Sequence, residues 1–352
     1  MEKKIYLVGG AVRDKLLNIK NRDKDYVAVG YNESDFQDLK KVGKSFPVFL
    51  MDNGDELALA RIDNKISSGY NGFEVCTKNV TLEEDLARRD LTINAIAYDE
   101  KNNIYIDPFN GKDDIKNKIL RHTTKAFCED PLRVLRIARF KAKLGKDWSI
   151  DNETKKIIFN MKNELVYLQK ERVYKEIEKV LKLENSHIFF EILIDINILD
   201  ILFPTIYKLR KSIDKLKVIK KESILLKLIV VYHNIKKDEI IDVDIPKKLK
   251  NNMLFIIDNY KKLNSLTNLT DDEIIIFFKK FRKNKIILKE MITFCKLKEL
   301  NINEDNLINL FNEISNFSPS KWMNSQNIKP SIQEIKEYIY KENINIVRKY
   351  LY

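Results

Sequence analysis

The chain has 352 residues, 44% hydrophobic and 33% charged, and a formal net charge of +12. This composition excludes a disordered or fibrous chain, and the length allows two or three domains around at least one proper core. The positive excess favours a polyanionic partner, nucleic acid before an anionic membrane surface, although the richness in lysine, isoleucine and asparagine has a second possible source in an AT-rich genome.

The three cysteines, Cys76, Cys128 and Cys295, have neither metal-ligand nor redox-motif spacing, so a reduced, cytoplasmic setting is expected. The opening MEKKIYLVGG holds no long apolar segment of the signal-peptide kind. The richest apolar stretches, FFEILIDINILDILF and SILLKLIVVYH, are interrupted by charges and too short to span a bilayer. They read as buried helices, and no membrane partner is expected.

In chain order, IYLV is a compact strand run ending at Gly9-Gly10, AVRDKLL a short helical pattern, and DYVAVG a second strand. FPVFL, ELALARI and GFEVCT follow as further strands with turn residues between them. TLEEDLARRDLTINAIAYDE reads as a helix that runs on through LTINAIA. IYIDPFNGKDDIKNKIL gives a strand, a Pro/Asn/Gly turn and a helix. From EDPLRVLRIARFKAKLG onward the apolar period is about 3.6, with a helix start at Asp130-Pro131 and a stop at Gly145. The expected architecture is an α+β head with a mixed sheet at 1–140, an all-α neck at 141–205 and a helical body at 206–352.

The chemistry concentrates at Leu7–Gly30. Asp23 and Asp25 enter the strand DYVAVG two residues apart, so both carboxylates point to one face. Two like charges held together call for a cation between them, and oxygen ligands suit Mg2+. The competing reading is a solvated charged turn neutralised by Arg22 and Lys24. Gly9-Gly10, between a strand and a helix, lets backbone N–H groups approach a phosphate, and Arg13 on the first turn adds a charge-assisted contact. An ordinary tight turn is the plainer alternative. Neither GxxxxGK[ST] nor GxGxxG occurs.

LVGGAVRD, RDKD, EEDLARRDLTINAIAYD, EDPLRVLRIARF and ERVYKEIEKVL appear in that order. This set resembles the class II tRNA nucleotidyltransferases, the CCA-adding enzymes and their poly(A) polymerase relatives, within the polymerase-beta-like superfamily. FPVFL and EDPLRVLRIARF resemble the bacterial CCA-adding branch in particular. The resemblance covers about the first 205 residues. It implies template-independent transfer of CMP and AMP from CTP and ATP to the 3′ end of a tRNA, with Mg2+ as cofactor and release of pyrophosphate. Asp23 and Asp25 match the metal-binding pair. Gly10 and Arg13 match positions that hold the nucleotide phosphates. Arg88, Arg89 and Asp90 match the RRD motif, with Arg89 the nucleotide contact; surface ion pairing with Glu83, Glu84 and Asp85 is the alternative. A third carboxylate is usual in the superfamily, and Glu74 is the candidate, with Glu56 or a structural Glu74 still open.

By the same resemblance, Asp130 and Arg133 are the base-reading pair. Cytosine and adenine each present an exocyclic amine beside a bare ring nitrogen, which an aspartate and an arginine complement; uracil and guanine present the opposite order. Arg136 and Arg139 step on by three along the same helix at nucleotide-contact positions. Asp130 also reads as a helix cap before Pro131, with the arginines as a solvated face. Glu171 and Arg172 of ERVYKEIEKVL match a later motif that braces the helix carrying Arg133.

Some bacterial members carry a phosphohydrolase domain after the neck, with His and His-Asp metal ligands. Here only His233 falls in a comparable place, Asn234 follows it, and it reads as a lone histidine at a helix end. Trp322 reads as core. An A-adding enzyme, a poly(A) polymerase, and a non-catalytic RNA-binding protein on the same fold remain the alternatives, the last disfavoured by intact Asp23 and Asp25.

Overall fold

The structure, a computed structural model, describes residues 1–20, 23–42, 47–65, 73–235, 239–240, 243–282 and 284–352, with the main chain alone at 64–65 and 73–74. The chain divides into two compact units, Met1–Lys221 with Ile241–Asp244 and Glu222–Ile240 with Ile245–Tyr352.

The first unit opens with β1 (Lys4–Val8), α1 (Gly10–Leu16), β2 (Asp25–Val29), β3 (Lys40–Val42), β4 (Val48–Leu50) and β5 (Glu56–Leu59). β6 (Ile62–Lys65) and β7 (Phe73–Cys76) pair only with each other, antiparallel. α2 (Leu82–Ala87), β8 (Ala97–Asp99), β9 (Ile104–Ile106) and α3 (Gly111–Asn117) complete the head. Its seven-stranded sheet has the order β3-β4-β5-β2-β1-β8-β9. Only the β2–β5 pair is parallel, so the sheet is mixed. Successive β2 side chains go to opposite faces: Val27 and Val29 join Tyr6, Val8 and Leu86, whereas Ala28 joins Phe49, Leu57 and Leu59.

One sequence expectation fails here. The helix at EEDLARRD does not continue through LTINAIA; α2 ends at Ala87, a 3-10 turn covers Thr92–Asn94, and Ala97–Asp99 is a strand paired with β1. The cause is local hydrogen bonding. Asp90 accepts from the Leu91 N–H at 2.9 Å and from the Asn94 amide at 2.9 Å, which draws the chain out of helix. The edge of β1 then takes up the apolar residues that follow.

β10 (Ile119–Leu120) pairs with β11 (Ser149–Ile150), and α4 (Leu132–Leu144) runs between them. Asp130 Oδ1 accepts from the Leu132 N–H at 3.1 Å, and Gly145, at φ +108°, ends the helix. Val134, Leu135, Ile137 and Ala138 are fully buried, which leaves Arg133, Arg136 and Arg139 together on the remaining face. α5 (Asn152–Asn160), α6 (Lys170–Leu181), α7 (Ser186–Asp195), α8 (Leu199–Leu202) and α9 (Pro204–Lys208) follow, with α6 and α7 packed against α4.

The second unit is helical throughout its described residues: α10 (Ile224–Tyr232), α11 (Lys247–Leu263), α12 (Asp271–Lys279), α13 (Lys285–Leu297), α14 (Glu304–Asn316), α15 (Ser320–Ser325) and α16 (Ile332–Leu351). Capping boxes start α12 at Thr270/Glu273 and α16 at Ser331/Glu334. Phe278, Phe281 and Phe294 are buried in it. Trp322 is half-buried and stacks on Tyr338, 4.3 Å between centroids. No helix among the described residues is long and apolar enough to cross a membrane.

Candidate active site

A cavity of about 780 Å³ opens in the first unit, lined by Gly9 and Gly10, by Asp23 and Asp25, by Arg88, Arg89 and Asp90, and by the arginine face of α4. Every residue assigned above to the metal pair or to the nucleotide lines it: Gly10, Arg13, Asp23, Asp25, Arg89, Asp130, Arg133, Arg136 and Arg139. Eight arginines and two lysines face seven carboxylates there, an excess of positive charge that suits a polyphosphate.

Sheet register builds one end of the cavity. Val8 lies opposite Asp25 in the antiparallel β1–β2 pair, so the Gly9-Gly10 turn begins beside the Asp25 side chain. Gly9 has φ +70°, and a Cβ there would stand 3.8 Å from Asp25 Oδ2 and 3.0 Å from Arg89 Nη1. Asp25 is exposed as a residue, yet the protein packed around its carboxyl partly desolvates it. That desolvation pushes its carboxyl up, Arg89 opposes the rise, and the negative charges of Asp23 and Asp55 add to it. Asp23 stands just before β2, close enough to raise its neighbour. Lys24 pairs with Glu100 at 3.7 Å, and Arg22 lies outside the described residues.

The pair fits a hard divalent cation: a buried-side carboxyl, Asp25, whose charge is disfavoured by the neighbouring Asp23, beside a glycine turn. Among the described residues no third His, Cys, Asp or Glu joins them in a metal-ligand group. Glu56 lies opposite Asp25 in the parallel β2–β5 register but does not line the cavity. Glu74 belongs to β7, away from the seven-stranded sheet, and its side chain lies outside the described residues.

The arginines are held by buried acids. Asp85, fully buried, accepts from Arg88 Nη2 at 2.6 Å, from Arg89 Nη2 at 3.0 Å and from the Arg61 N–H at 3.2 Å. Its burial raises the carboxyl, and the two guanidinium charges more than offset that, leaving it below the usual range. The ion-pairing alternative is seen with Asp85, in the interior rather than on a surface, and the same arginines also line the cavity. Glu84 instead completes the capping box with Thr81. Arg13 is buried, donating to Asp14 Oδ1 at 2.6 Å and Asn94 Oδ1 at 2.6 Å, with its guanidinium over the Phe140 ring. Arg136 donates to Asp90 at 2.8 Å and Arg139 to Glu176 at 2.6 Å.

Asp130 and Arg133 sit one helical turn apart at the start of α4, and neither donates to the other's side chain. Arg133 donates to the main-chain oxygens of Ala126 and Arg88, each at 2.6 Å. Asp130 Oδ2 accepts from Arg172 Nη2 at 2.8 Å while Oδ1 caps the helix. Capping and cavity lining therefore coexist in one carboxylate. Arg61 and Asp63 of the β6 segment also line the cavity, a contribution that sequence reasoning missed because nothing in ARIDNK marks it. The spacing of Asp85 to Arg88 and Arg89, three and four residues, was the signal for the buried hub.

His233 follows α10 in the second unit; its Nδ1 donates to the Val230 carbonyl at 2.9 Å and its ring packs edge-on against Phe294.

A family described as "Poly A polymerase head domain" matches residues 5–121, and one described as "Probable RNA and SrmB- binding site of polymerase A" matches residues 147–209. A CCA-adding enzyme of Buchnera aphidicola subsp. Acyrthosiphon pisum (strain APS) is 52% identical over 211 residues, 58% of this chain and 51% of that protein. A multifunctional CCA protein of Shewanella denitrificans is 48% identical over 213 residues, 58% of this chain and 51% of that protein. The chain thus spans about half the length of the curated relatives it matches. Among solved structures, an apo CCA-adding enzyme superposes with a TM-score of 0.66 at 22% identity, covering 99% of this chain and 91% of the other. A complex of a CCA-adding enzyme with ATP gives 0.64 at 22% identity, covering 97% and 87%. These structures share the fold. Residues 5–121 and 147–209 thus carry the head domain and the RNA-binding region of the poly(A) polymerase family, in a stretch about half identical to bacterial CCA-adding enzymes.

Proposed function

We propose that this chain adds CCA to the 3′ end of tRNA, without a template, using CTP and ATP and releasing pyrophosphate. The observation that carries the reading is the convergence on one cavity of the Asp23/Asp25 pair, the Gly9-Gly10 turn, Arg89 and the Asp130/Arg133 helix start. The names of the Buchnera and Shewanella relatives support it.

Asp23 and Asp25 would hold Mg2+, which when bound supplies charge neutralisation for the attacking 3′-oxygen and the leaving pyrophosphate. The glycine turn keeps side chains away from that point, so a triphosphate can lie against the backbone beside Asp25. Arg89, held through Nη2 by Asp85 and with Nη1 beside Gly9, would supply positive charge to a triphosphate lying against that turn. Arg13, buried and fully engaged, holds Asp14 and Asn94 and contributes its charge from behind the turn. Arg136 and Arg139, each bonded to a buried acid, extend the positive wall. Asp130 accepts from the exocyclic amine of C or A, and Arg133 donates to the adjacent ring nitrogen after exchanging a main-chain oxygen for the base. Uracil and guanine would leave those half-buried groups facing like polarity and unpaired. The lysine-rich exterior accords with tRNA phosphates as partner, and the cysteine usage with a cytoplasmic protein.

The experiment is incorporation of labelled CTP or ATP, with Mg2+, into tRNAs ending before CCA, at C and at CC. Addition of C, C and then A supports the reading. A alone on the CC-ended tRNA shows an A-adding enzyme, long A tails a poly(A) polymerase, and no incorporation on any substrate an RNA-binding protein.

A further inference from the structure

Asp130, given the base-reading role on which this inference rests, has a second partner from a different helix. Arg172, on the first turn of α6, approaches its carboxylate side-on: Nη2 is 2.8 Å from Oδ2 and Nη1 is 3.4 Å from Oδ1. The Leu132 N–H takes Oδ1 at 3.1 Å. A carboxylate has about four acceptor positions, and a guanidinium fork together with a main-chain N–H fixes its plane. We propose that Arg172 is a specificity-determining positioning residue: it locks the orientation of Asp130 so that one remaining acceptor position of Oδ2 faces the base.

Three observations carry this beyond bracing. Both side chains line the cavity and are only partly exposed, 22% for Arg172 and 24% for Asp130, so the pair stands where a base would lie rather than behind it. The helix that presents Arg172 is independently anchored: Val173, Tyr174 and Ile177 are buried, and Glu176 of the same helix is 2.6 Å from Arg139. Arg172 therefore comes from a fixed platform, and its removal need not move α4. Finally, Arg133, the other half of the reading pair, donates its hydrogen bonds to main-chain oxygens. The two halves of the reader are set by different elements, Arg133 by the head and Asp130 by the neck helix. A carboxylate free to rotate would still attract an amine but would reject a carbonyl less strictly, so its orientation governs discrimination more than chemistry.

The test is steady-state kinetics with CTP, ATP, UTP and GTP on tRNAs ending before CCA and at CC, for wild type, Arg172→Ala, Arg172→Lys, Arg172→Gln and Asp130→Ala. Arg172→Ala is expected to raise KM for CTP and ATP and to erode the preference for CTP over UTP and for ATP over GTP by about tenfold, the worth of one oriented hydrogen bond. Arg172→Lys is expected to restore it in part, Arg172→Gln less, and Asp130→Ala to erode it more than any of them. If Arg172→Ala unfolds, the Lys and Gln variants carry the same comparison. Discrimination unchanged in the Arg172 variants, whatever their absolute rate, overturns the proposal. If Asp130→Ala erodes discrimination while the Arg172 variants do not, only this inference fails. If Asp130→Ala leaves discrimination intact, the base-reading role itself fails and the inference with it.

Discussion

Arg136 on α4 donates through Nε to Asp90 Oδ2 at 2.8 Å, across 46 residues of sequence, and so ties the helix of the arginine face to the turn that ends α2. Asp90 is 6% exposed. Burial alone would push its carboxyl up; Arg136, the Asn94 amide and Arg133 outweigh that and hold it far below the usual carboxylate range.

Asp90→Asn is therefore expected to lower stability by about 2 kcal/mol, the cost of leaving a buried partner without its counter-charge. The sign with pH follows from the depressed native value. The pair's contribution is complete above the unfolded aspartate value of about 3.9 and is lost as pH falls through the native one. Denaturant melts of wild type and variant should differ by a constant amount from pH 7 to 5 and converge under strong acid. A difference that grew on acidification would contradict the assignment.

Asp23→Ala or Asp25→Ala is expected to abolish nucleotidyl transfer while tRNA binding by filter retention stays nearly intact. A comparable loss of binding would count against the metal role.

The raised Asp25 carboxyl has its own signature. Its proton is held more tightly in the native chain than in the unfolded one, so this group favours the native state as pH falls through the raised value toward about 3.9. The same proton competes with a cation, so divalent affinity should weaken on acidification sooner than for an ordinary aspartate. In Asp23→Asn the Asp25 midpoint should move down, because one negative neighbour is gone. Carboxyl carbon NMR titration reads that shift directly; an unmoved midpoint would show that the two carboxylates do not interact.

Asp85→Asn keeps the shape of the buried hub but removes the charge that holds Arg88 and Arg89. KM for CTP and ATP should rise together by about tenfold, with base preference unchanged, since one charge-assisted contact is worth about that factor. Kinetics with all four nucleotides separates this from the Arg172 effect.

Gly9→Ala meets two obstacles: the positive φ, costing about 1–3 kcal/mol for a side chain, and the approach of Arg89 Nη1 at 3.0 Å. The expected outcome is a modest fall in melting temperature and a loss of transfer much larger than that fall explains.

What the residues alone determined is the local grammar. The apolar alternation of DYVAVG makes a strand wherever it sits, Asp130 with Pro131 starts a helix, and Gly145 ends one. The ordered motifs likewise named Gly10, Arg13, Asp23, Asp25, Arg89 and the arginine face of α4, and all of these line one cavity. The helix expected through LTINAIA was out of reach of that grammar, because its apolar period suits either state. The Asp90 hydrogen bonds and the free edge of β1 choose strand there. The partners were likewise beyond sequence reasoning. Only β1–β2 register sets Asp25 beside Gly9, and only packing of α6 on α4 brings Arg172 to Asp130 and Glu176 to Arg139. Side-chain chemistry is a property of each residue, but which charge neutralises which depends on contacts between segments dozens of residues apart, and those are decided by burial of the whole core.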